Sequence, residues 1–376
     1  MIRVKVKLRF IPKCFPRGTY RPELPGTAGD IAGGTGARPA ESGGVDLVYV
    51  SDSDPGFTRK GAGKGFYYLD EQGERIRDRA VIQRINSLAI PPAYRDVWIC
   101  PLPNGHLQAT GRDARKRKQY RYHPGWSQWR NDRKFERLHD VGEVLPRLRQ
   151  RLQTDLARPE LDRRKVIAAL LRIMDRTGVR VGNEVYRQEN HSHGLTTLDD
   201  DHADVDGKHI HLEFLGKSGV ETQIDLNDRR VAKVIAQCHD LPGQRLFTFK
   251  DAAGELHPVD SEDVNAYLHD LAGDWLSSKF LRTWHASTLA YDYLSGCDSR
   301  EGSKTARKKT VVQTVKEVAA HLHNRPATCR KYYIHPRLLE AYEAEGCLPE
   351  VEVKAHHRHL RAHEARFLAF LDQVGA

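Results

Sequence analysis

The chain has 376 residues, of which 39% are hydrophobic and 29% charged, proportions compatible with a soluble globular protein of two domains. The 60 Lys and Arg residues outnumber the 50 Asp and Glu residues, and the net charge of +10 favours a polyanionic partner, although such a charge also serves solubility alone. No apolar run reaches the roughly 18 residues of a membrane-spanning helix, and the basic start "MIRVKVKLRF" lacks the apolar core of a secretory signal.

The six cysteines are scattered without a C-x-x-C pair, which predicts reduced thiols in a cytosolic protein. Histidines cluster in "HLHNR" and "KAHHRHLRAHE", but no ligand spacing typical of a zinc site accompanies them. A nucleotide-binding loop of the G-x-x-x-x-G-K-[ST] type is also absent. We therefore predict that the protein uses neither a metal nor a cofactor.

The first predicted segment, residues 1–45, is rich in Gly and Pro, with "PGTAGDIAGGTGARPAESGG" at its centre. Such a composition buries too little apolar surface to fold, so we predict a disordered extension. Residues 46–123 carry strand and turn signals and are predicted to form a small β-rich domain. In "DVWICPLPNGHLQATG" an Asn-Gly pair joins two β-rich runs, which indicates a hairpin, and "GKGFYYLD" is a further strand.

The stretch "TGRDARKRKQYRYHP" closes this domain and is strongly basic. A solvated charge run is the usual explanation of such a stretch. However, tyrosines alternate with cations on an extended segment, and this combination suits a DNA surface, because cations bind phosphates while rings pack on sugars or bases. The predicted DNA-contacting residues are Arg112, Arg115, Lys116, Lys118, Gln119, Tyr120 and Tyr122.

Helical periodicity follows the Pro-Gly pair at 124–125, and we predict a linker at 124–135 and a larger, mainly helical domain at 136–376. The run "RRKVIAALLRIMDRTG" is a helix that ends at Gly178. "HIHLEFLG" and "VETQIDL" alternate with period two and predict an antiparallel hairpin with Lys217 at its tip. Helices are expected at about 261–272, 274–296, 310–323, 336–345 and 350–374. The predicted fold class is therefore α+β, with a small antiparallel sheet inside the helical domain.

Several polar residues of this second domain are candidates for chemistry. Arg180 follows the helix-ending glycine, where from spacing alone a surface role is the commoner explanation. In "SSKFLRTWHASTLAYDYL" the positions of Lys279, Arg282 and His285 fall along one side of a predicted helix, an arrangement that favours an anion site over a single buried salt bridge. The apolar stripe of that helix is predicted to include Tyr293.

The Tyr-Tyr pair in "CRKYYIHP" acquires a chemical interpretation only together with these cations. By itself a tyrosine in this position is usually an ordinary surface residue. Two guanidinium groups, however, can hold the non-bridging oxygens of a phosphodiester and stabilise a pentacoordinate transition state. A tyrosine can then form a covalent phosphoenzyme, and a lysine can protonate the leaving oxygen.

At this point the chain resembles the bacterial, poxvirus-like type IB DNA topoisomerases, over more than three-quarters of its length. The resemblance rests on the joint, ordered occurrence of "YVSDSDPGFTRKGAGKGFYY", "SLAIPPAYRDVWICP", "ATGRDARKRKQYRYHP", "RVGNEVYRQENHSHGLTTL", "FLGKSGVE", "KFLRTWHASTLA" and "CRKYYIHP". It implies that Arg180 and Arg282 are the catalytic arginines, Lys217 the general acid and Lys279 an assisting lysine. The nucleophile is the tyrosine directly before the hydrophobic-His-Pro step, which here is Tyr333.

One residue departs from the poxvirus pattern. Nine residues before the nucleophile, where poxvirus enzymes carry a phosphate-binding histidine, this chain has Asn324, which resembles the bacterial branch. The alternative for Asn324 is a cap that ends the 310–323 helix. Both roles are compatible, because a side-chain amide can still donate one hydrogen bond to a phosphate oxygen.

The resemblance implies an enzyme that clamps double-stranded DNA between its two domains and relaxes supercoils through a 3′-phosphotyrosyl intermediate, without ATP or metal. We expect a cytoplasmic, nucleoid-associated monomer with no small-molecule substrate and no membrane contact. A tyrosine recombinase shares this chemistry, but its N-terminal domain is usually helical. A basic DNA-binding protein without catalysis is permitted by charge alone, but it leaves the ordered set of catalytic residues to coincidence.

Overall fold

The computed structural model describes residues 39–42, 45–63, 65–114, 116–184, 187–188, 191–217, 219–353 and 360–375. Most of the predicted N-terminal extension lies outside these residues. The described part of it forms strand β1 at Pro39–Ser42, which pairs antiparallel with β2 at Val45–Val48. Strand pairing therefore begins before residue 46, the predicted start of the β-rich domain.

A five-stranded antiparallel sheet forms the N-terminal part and confirms its predicted β-rich character. Its strands are β3 (Phe57–Ala62), β4 (Gly65–Leu69), β5 (Arg95–Ile99), β6 (Leu107–Arg112) and β7 (Lys118–Tyr122), in the order β4-β3-β5-β6-β7. Helix α1 (Arg79–Ser87) packs Ile85 on the inward face of β5 and β6. The strand β7, which carries the basic and aromatic residues, is consequently an edge strand.

The larger part is mainly helical. Its helices are α2 (Pro124–Glu136), α3 (Leu138–Leu156), α4 (Arg163–Thr177), α5 (Arg229–His239), α6 (Ser261–Ala272), α7 (Ser278–Ser295), α8 (Lys304–His321), α9 (Pro326–Tyr332), α10 (Pro336–Glu345) and α11 (Ala362–Val374). The segment predicted as a linker is the helix α2, with Pro124 in its first turn, where the missing N–H group costs nothing. None of the described helices is long and apolar enough to cross a membrane.

A small antiparallel sheet lies between α4 and α5 in the chain, as predicted. It consists of β8 (Ala203–Asp206), β9 (His209–Gly216) and β10 (Val220–Asn227), with β9 in the centre. Alternate residues of β9, Ile210, Leu212 and Phe214, are buried against the helices, while the residues between them face outward. A short hairpin, β11 (Thr248–Lys250) with β12 (Leu256–Pro258), follows α5.

The helices α3, α4, α7 and α11 are joined at their centre by a buried ion-pair network. Arg149 of α3 donates hydrogen bonds to both oxygens of Asp175 on α4, at 3.0 and 2.7 Å, and to both oxygens of Glu364 on α11, each at 2.7 Å. Trp284 of α7 packs beside Glu364, with its indole nitrogen 3.4 Å from that carboxylate. Although burial opposes ionisation, Arg149 and Arg361 hold the pKa of Glu364 below its usual range. This network fixes the end of α4 relative to α7; Arg180 lies in the turn that follows α4, and Arg282 lies on α7.

Candidate active site

Four chain segments converge on one small region of the helical part. They are the turn after α4, the first half of α7, the end of α8 and the end of α9, and they carry Arg180, Arg282, Asn324 and Tyr333 respectively. All four residues were predicted from the sequence as candidates for phosphoryl-transfer chemistry. The structure brings them together.

Gly178 makes the turn that aims Arg180 at this region. It ends α4 with a φ of +65°, a left-handed conformation in which residues with a side chain are strained. A Cβ atom at this position would also lie only 2.7 Å from atoms of both His285 and Leu322. The turn therefore requires glycine for two reasons: its left-handed backbone conformation, and the close approach of side chains from α7 and from the end of α8.

Arg282 is the most deeply buried of the catalytic candidates, with a relative exposure of 4%. Its guanidinium donates to the carbonyl oxygen of Gly178 and, at 2.6 Å, to that of Leu322, so it joins the ends of α4 and α8. In the described part of the protein its Nε atom has no hydrogen-bond partner. Burial and the neighbouring Arg180 lower the pKa of Arg282 to about 10, although Tyr333 opposes the shift. A buried cation held by neutral carbonyls leaves its positive charge available to an anion.

Arg180 and Asn324 form a second group of hydrogen-bond donors beside Arg282. The Nη2 atom of Arg180 donates to Oδ1 of Asn324 at 2.5 Å. Burial lowers the pKa of Arg180, and Tyr333 acts in the opposite direction. Because its Oδ1 atom accepts this bond, Asn324 directs its amide Nδ2 elsewhere, and in the described part of the protein that nitrogen has no partner. An amide N–H donor without a partner, next to two guanidinium groups, is suited to bind a phosphate oxygen.

The alternative role predicted for Asn324, a helix cap, needs a small correction. Helix α8 ends at His321, and the left-handed position after it, with φ of +49°, is occupied by His323. The backbone N–H of Asn324 bonds to the carbonyl of Ala319 at 2.8 Å and that of His323 to Ala320 at 3.1 Å. These two bonds are the Schellman arrangement, in which Asn324 is the residue after the left-handed one. The backbone N–H of Asn324 thus ends the helix, and its side-chain oxygen accepts the hydrogen bond from Arg180.

The two tyrosines at the end of α9 have different surroundings. Tyr333 is half-buried, and the centre of its ring lies 5.2 Å from the guanidinium carbon of Arg282. Its backbone is anchored on both sides, because its N–H donates to Cys329 at 2.9 Å and its carbonyl accepts from the Ser287 hydroxyl at 3.0 Å. Tyr332 is 38% exposed. Only Tyr333 has its ring packed against a candidate arginine among the described ring contacts.

Sequence analysis missed one residue of this region, Lys134 on α2. It is 8% exposed, and its ammonium donates to the backbone carbonyl of Tyr332. The nitrogen lies 4.1 Å from the centre of the Phe135 ring and 6.0 Å from that of Tyr333. Burial, with a contribution from Lys279, lowers the pKa of Lys134 to about 7. Nothing in "RNDRKFERL" distinguishes this lysine from its charged neighbours, because the contact depends on a partner 198 residues away in the chain.

Lys217 and Lys279 are exposed. Lys279 lies one turn before Arg282 on α7. Lys217 lies on a different element, at the tip of the β9–β10 hairpin. The base of that tip is nevertheless linked to the Arg180 turn, because His193 donates its N–H to Leu215 at 2.7 Å and Leu195 donates to the Arg180 carbonyl at 3.0 Å. This short loop positions the hairpin relative to the candidate site.

The same loop contains the cluster of possible metal ligands found in the described residues, His193, Asp199 and His202. Hydrogen bonds already engage its atoms. The Nδ1 of His193 lies 2.6 Å from the carbonyl of Thr197, so this nitrogen carries the proton, whereas Nδ1 of His202 accepts from the backbone of Asp199 at 2.9 Å. A neutral His202 then carries its proton on Nε2, the nitrogen a metal would need. Asp199 also pairs with Arg187 at 2.9 Å, so the cluster serves to hold the loop.

The predicted DNA surface lies on β7 and the turn before it. Tyr120 and Tyr122 are exposed and parallel, with ring centres 6.1 Å apart and planes 10° apart. Lys118 lies on the same side of the strand and pairs with Asp52 at 2.5 Å. Arg121 donates to the carbonyl of Ala89 at 3.0 Å. The exposed face of this edge strand is therefore a row of one cation and two aromatic rings.

The turn that leads into β7 presents the other predicted contacts. Lys116 is exposed in a left-handed turn, and Arg112 donates to its carbonyl at 3.0 Å. Gln119 is half-buried and donates to Asp113 at 3.1 Å, so its amide is already engaged within the turn. Arg115 lies outside the described residues.

Comparison with known proteins shows similarity to DNA topoisomerases along most of the chain. Residues 123–357 match the profile of the family described as "Eukaryotic DNA topoisomerase I, catalytic core", and residues 65–113 match "Bacterial DNA topoisomerase IB, N-terminal domain". The DNA topoisomerase 1B of Acanthamoeba polyphaga mimivirus is 30% identical over 293 residues, covering 76% of this chain and 87% of the relative. The DNA topoisomerase I of Monkeypox virus is 23% identical over 263 residues, covering 69% of this chain and 79% of the relative.

Proposed function

The chain belongs to the family of type IB DNA topoisomerases, and from this we propose that it relaxes supercoiled duplex DNA with Tyr333 as its nucleophile. The observation that carries the assignment of the site is the half-buried Tyr333 ring packed on the buried Arg282, whose guanidinium is held by carbonyl groups. Arg180 and Asn324 complete the set of donors beside it.

In the proposed reaction the phenol oxygen of Tyr333 attacks a backbone phosphorus and releases its proton to solvent. A bond forms between this oxygen and phosphorus while the bond from phosphorus to the 5′-oxygen breaks, which leaves a 3′-phosphotyrosyl link. Arg180 and Arg282 hold the two non-bridging oxygens, whose negative charge grows in the transition state, and the Asn324 amide donates a further hydrogen bond. Lys279, one turn from Arg282, adds positive charge at the edge of the site.

The leaving group needs a proton because an alkoxide is a poor leaving group at neutral pH. We assign this step to Lys217, whose ammonium can protonate the departing 5′-oxygen. The cut strand then rotates about the intact strand and supercoils relax. Attack of the 5′-hydroxyl on the phosphotyrosine reverses the reaction. Because the phosphotyrosine conserves the energy of the phosphodiester bond, the cycle does not require ATP.

The other features of the proposal follow from where these groups lie. Since Arg180, Arg282, Asn324 and Tyr333 meet within a single chain, with no residue of a second copy needed to bring them together, we propose that a monomer is active. We also propose that the DNA surface on β7 and the helical part contact the duplex from two sides. The match to a bacterial N-terminal domain favours a bacterial protein. In a bacterial cell the DNA substrate lies in the nucleoid, within the cytoplasm, and we propose that the protein acts there.

The test of the proposed function is incubation with supercoiled plasmid in EDTA, without ATP. We expect a ladder of relaxed topoisomers from both positively and negatively supercoiled plasmid, because guanidinium groups supply the positive charge that the transition state needs. Tyr333→Phe is the matched control and should give no ladder. An absolute requirement for magnesium or ATP would contradict the proposed mechanism.

A second test concerns the proposed DNA surface on β7. If its cations neutralise phosphates, DNA affinity falls steeply with salt, and Lys116→Gln should make the log–log slope about 0.9 less negative. Arg121→Gln is the matched control from the same surface region, because Arg121 bonds to the Ala89 carbonyl, and it should leave the slope unchanged. Fluorescence anisotropy of a labelled duplex at several salt concentrations measures both. Equal slopes for the Lys116 variant and the parent would remove this lysine from the interface.

A further inference from the structure

The helix α2 connects the proposed DNA surface directly to the nucleophile segment. It begins at Pro124, two residues after β7 ends at Tyr122, and its last turn carries Lys134. The Lys134 ammonium donates to the carbonyl of Tyr332, which belongs to the peptide group that joins Tyr332 to Tyr333. One continuous helix therefore runs from the β7 strand to the backbone of the proposed nucleophile.

The surroundings of Lys134 are unusual for a lysine. The side chain is almost fully buried, and none of the described carboxylates forms an ion pair with it. Its described neighbours on other elements are the cation Lys279, the Tyr333 ring and the buried His335, while Phe135 lies beside it on α2. Burying an ammonium group without a counter-ion is costly. Stability alone does not account for such a residue, whereas a positional role does.

The contact completes a set of backbone anchors around Tyr333. The N–H of Tyr333 donates to Cys329, and its carbonyl accepts from Ser287, which also accepts the N–H of His335 at 3.0 Å. Lys134 holds the carbonyl of the preceding peptide group. Both peptide groups that flank the Tyr333 Cα atom are thereby fixed by hydrogen bonds, and only its side-chain torsions are left to adjust.

We propose that Lys134 is a positioning residue for the cleavage reaction: by holding the Tyr332 carbonyl it keeps the Tyr333 phenol in line with the 5′-oxygen leaving group. In-line attack needs this alignment, and a displacement of about 1 Å can slow a reaction about 10²-fold. Lys134 acts through Tyr333 and does not itself exchange a proton in the reaction. The inference rests on the proposed role of Tyr333 as nucleophile.

The test is the variant Lys134→Met, which keeps most of the apolar stem and removes the donor. In single-turnover assays we expect cleavage and religation to slow by the same factor, about 10- to 100-fold, because both pass through one in-line transition state. Non-covalent DNA affinity, measured with Tyr333→Phe in both backgrounds, should change less than about twofold, since positioning affects the transition state rather than binding. Lys134→Arg keeps a cationic N–H donor and should recover part of the rate.

The matched control is Lys165→Met on α4. Lys165 is also a buried lysine, 3% exposed, whose ammonium faces a carbonyl, that of Pro159 at 3.5 Å, and whose pKa is lowered by burial. This variant should cleave at the parental rate, and thermal unfolding of both variants reports whether either has lost its fold.

A folded Lys134→Met enzyme that cleaves as fast as Lys165→Met would overturn the inference. A Lys134→Arg enzyme that is folded and as slow as Lys134→Met would also overturn it. Failure of the proposed function is a separate result, because it appears as adduct formation by Tyr333→Phe.

Discussion

Tyr333→Phe is expected to bind duplex DNA with near-normal affinity and to form no covalent adduct. The substitution removes only the phenol oxygen, while the ring that packs on Arg282 and the backbone anchors at Cys329 and Ser287 stay in place. Cleavage without this oxygen needs another nucleophile in line with the leaving group, and in-line geometry admits only one. Radiolabelled DNA carrying a nick downstream of the cut site traps the adduct, which is then counted on a denaturing gel.

Tyr332→Phe is the matched comparison, since it removes the same atom from the neighbouring ring. Tyr332 is 38% exposed, with Lys331 5.3 Å from the centre of its ring. Adjacent residues of one segment point in different directions, so its phenol cannot replace that of Tyr333 without a change of backbone. This variant should keep both binding and cleavage. Loss of the adduct in Tyr332→Phe but not in Tyr333→Phe would shift the nucleophile by one residue.

The second large effect is expected for Lys217→Ala. If Lys217 protonates the leaving 5′-oxygen, its loss should slow cleavage by about 10²–10⁴-fold, the usual contribution of a general acid. A substrate with sulfur in place of the bridging 5′-oxygen has a leaving group that needs no proton. On this substrate the variant should regain most of the lost rate, and single-turnover cleavage of both substrates measures the recovery.

Lys208→Ala provides the control for that experiment. Lys208 is also exposed, but it precedes β9 at the end of the strand opposite to Lys217. It should cleave both substrates at the parental rate. A Lys217→Ala enzyme that is equally slow on oxygen and sulfur substrates would show that Lys217 binds or positions the substrate and does not donate a proton. Lys134→Met should differ in this respect, because a misplaced nucleophile slows attack whatever atom leaves.

Local signals predicted much of the fold. The bounds of α6 and α10 coincide with those expected from periodicity, α4 ends at Gly178, and β9 pairs with β10 around Lys217. Each of these features depends on residues a few positions apart: an apolar repeat, a left-handed glycine or a short turn between alternating strands. The arginines and the tyrosine of the candidate site were identified through the family resemblance, which depends on several motifs together.

The missed features depend on distant contacts. Helix α8 begins at Lys304, six positions before its predicted start, and the short helix α9 was not predicted. Tyr293 was expected in the buried stripe of α7, which is wrong: Tyr293 is 39% exposed, whereas Tyr291 is 3% exposed and packs on Phe367 and Phe370 of α11. Periodicity along one helix does not specify on which side a later helix packs. The contact of Lys134 with Tyr332 likewise joins residues that are far apart in the chain, so no local sequence pattern indicates it.

The central claim, that Tyr333 carries the DNA strand, is tested most directly by peptide mapping of the trapped enzyme–DNA adduct. After proteolysis and nuclease trimming, mass spectrometry of the peptide that spans "CRKYYIHP" locates the residual nucleotide. The account predicts a 3′-phosphonucleotide on Tyr333 and an unmodified Tyr332. A nucleotide on Tyr332, or on a residue outside this peptide, would contradict it.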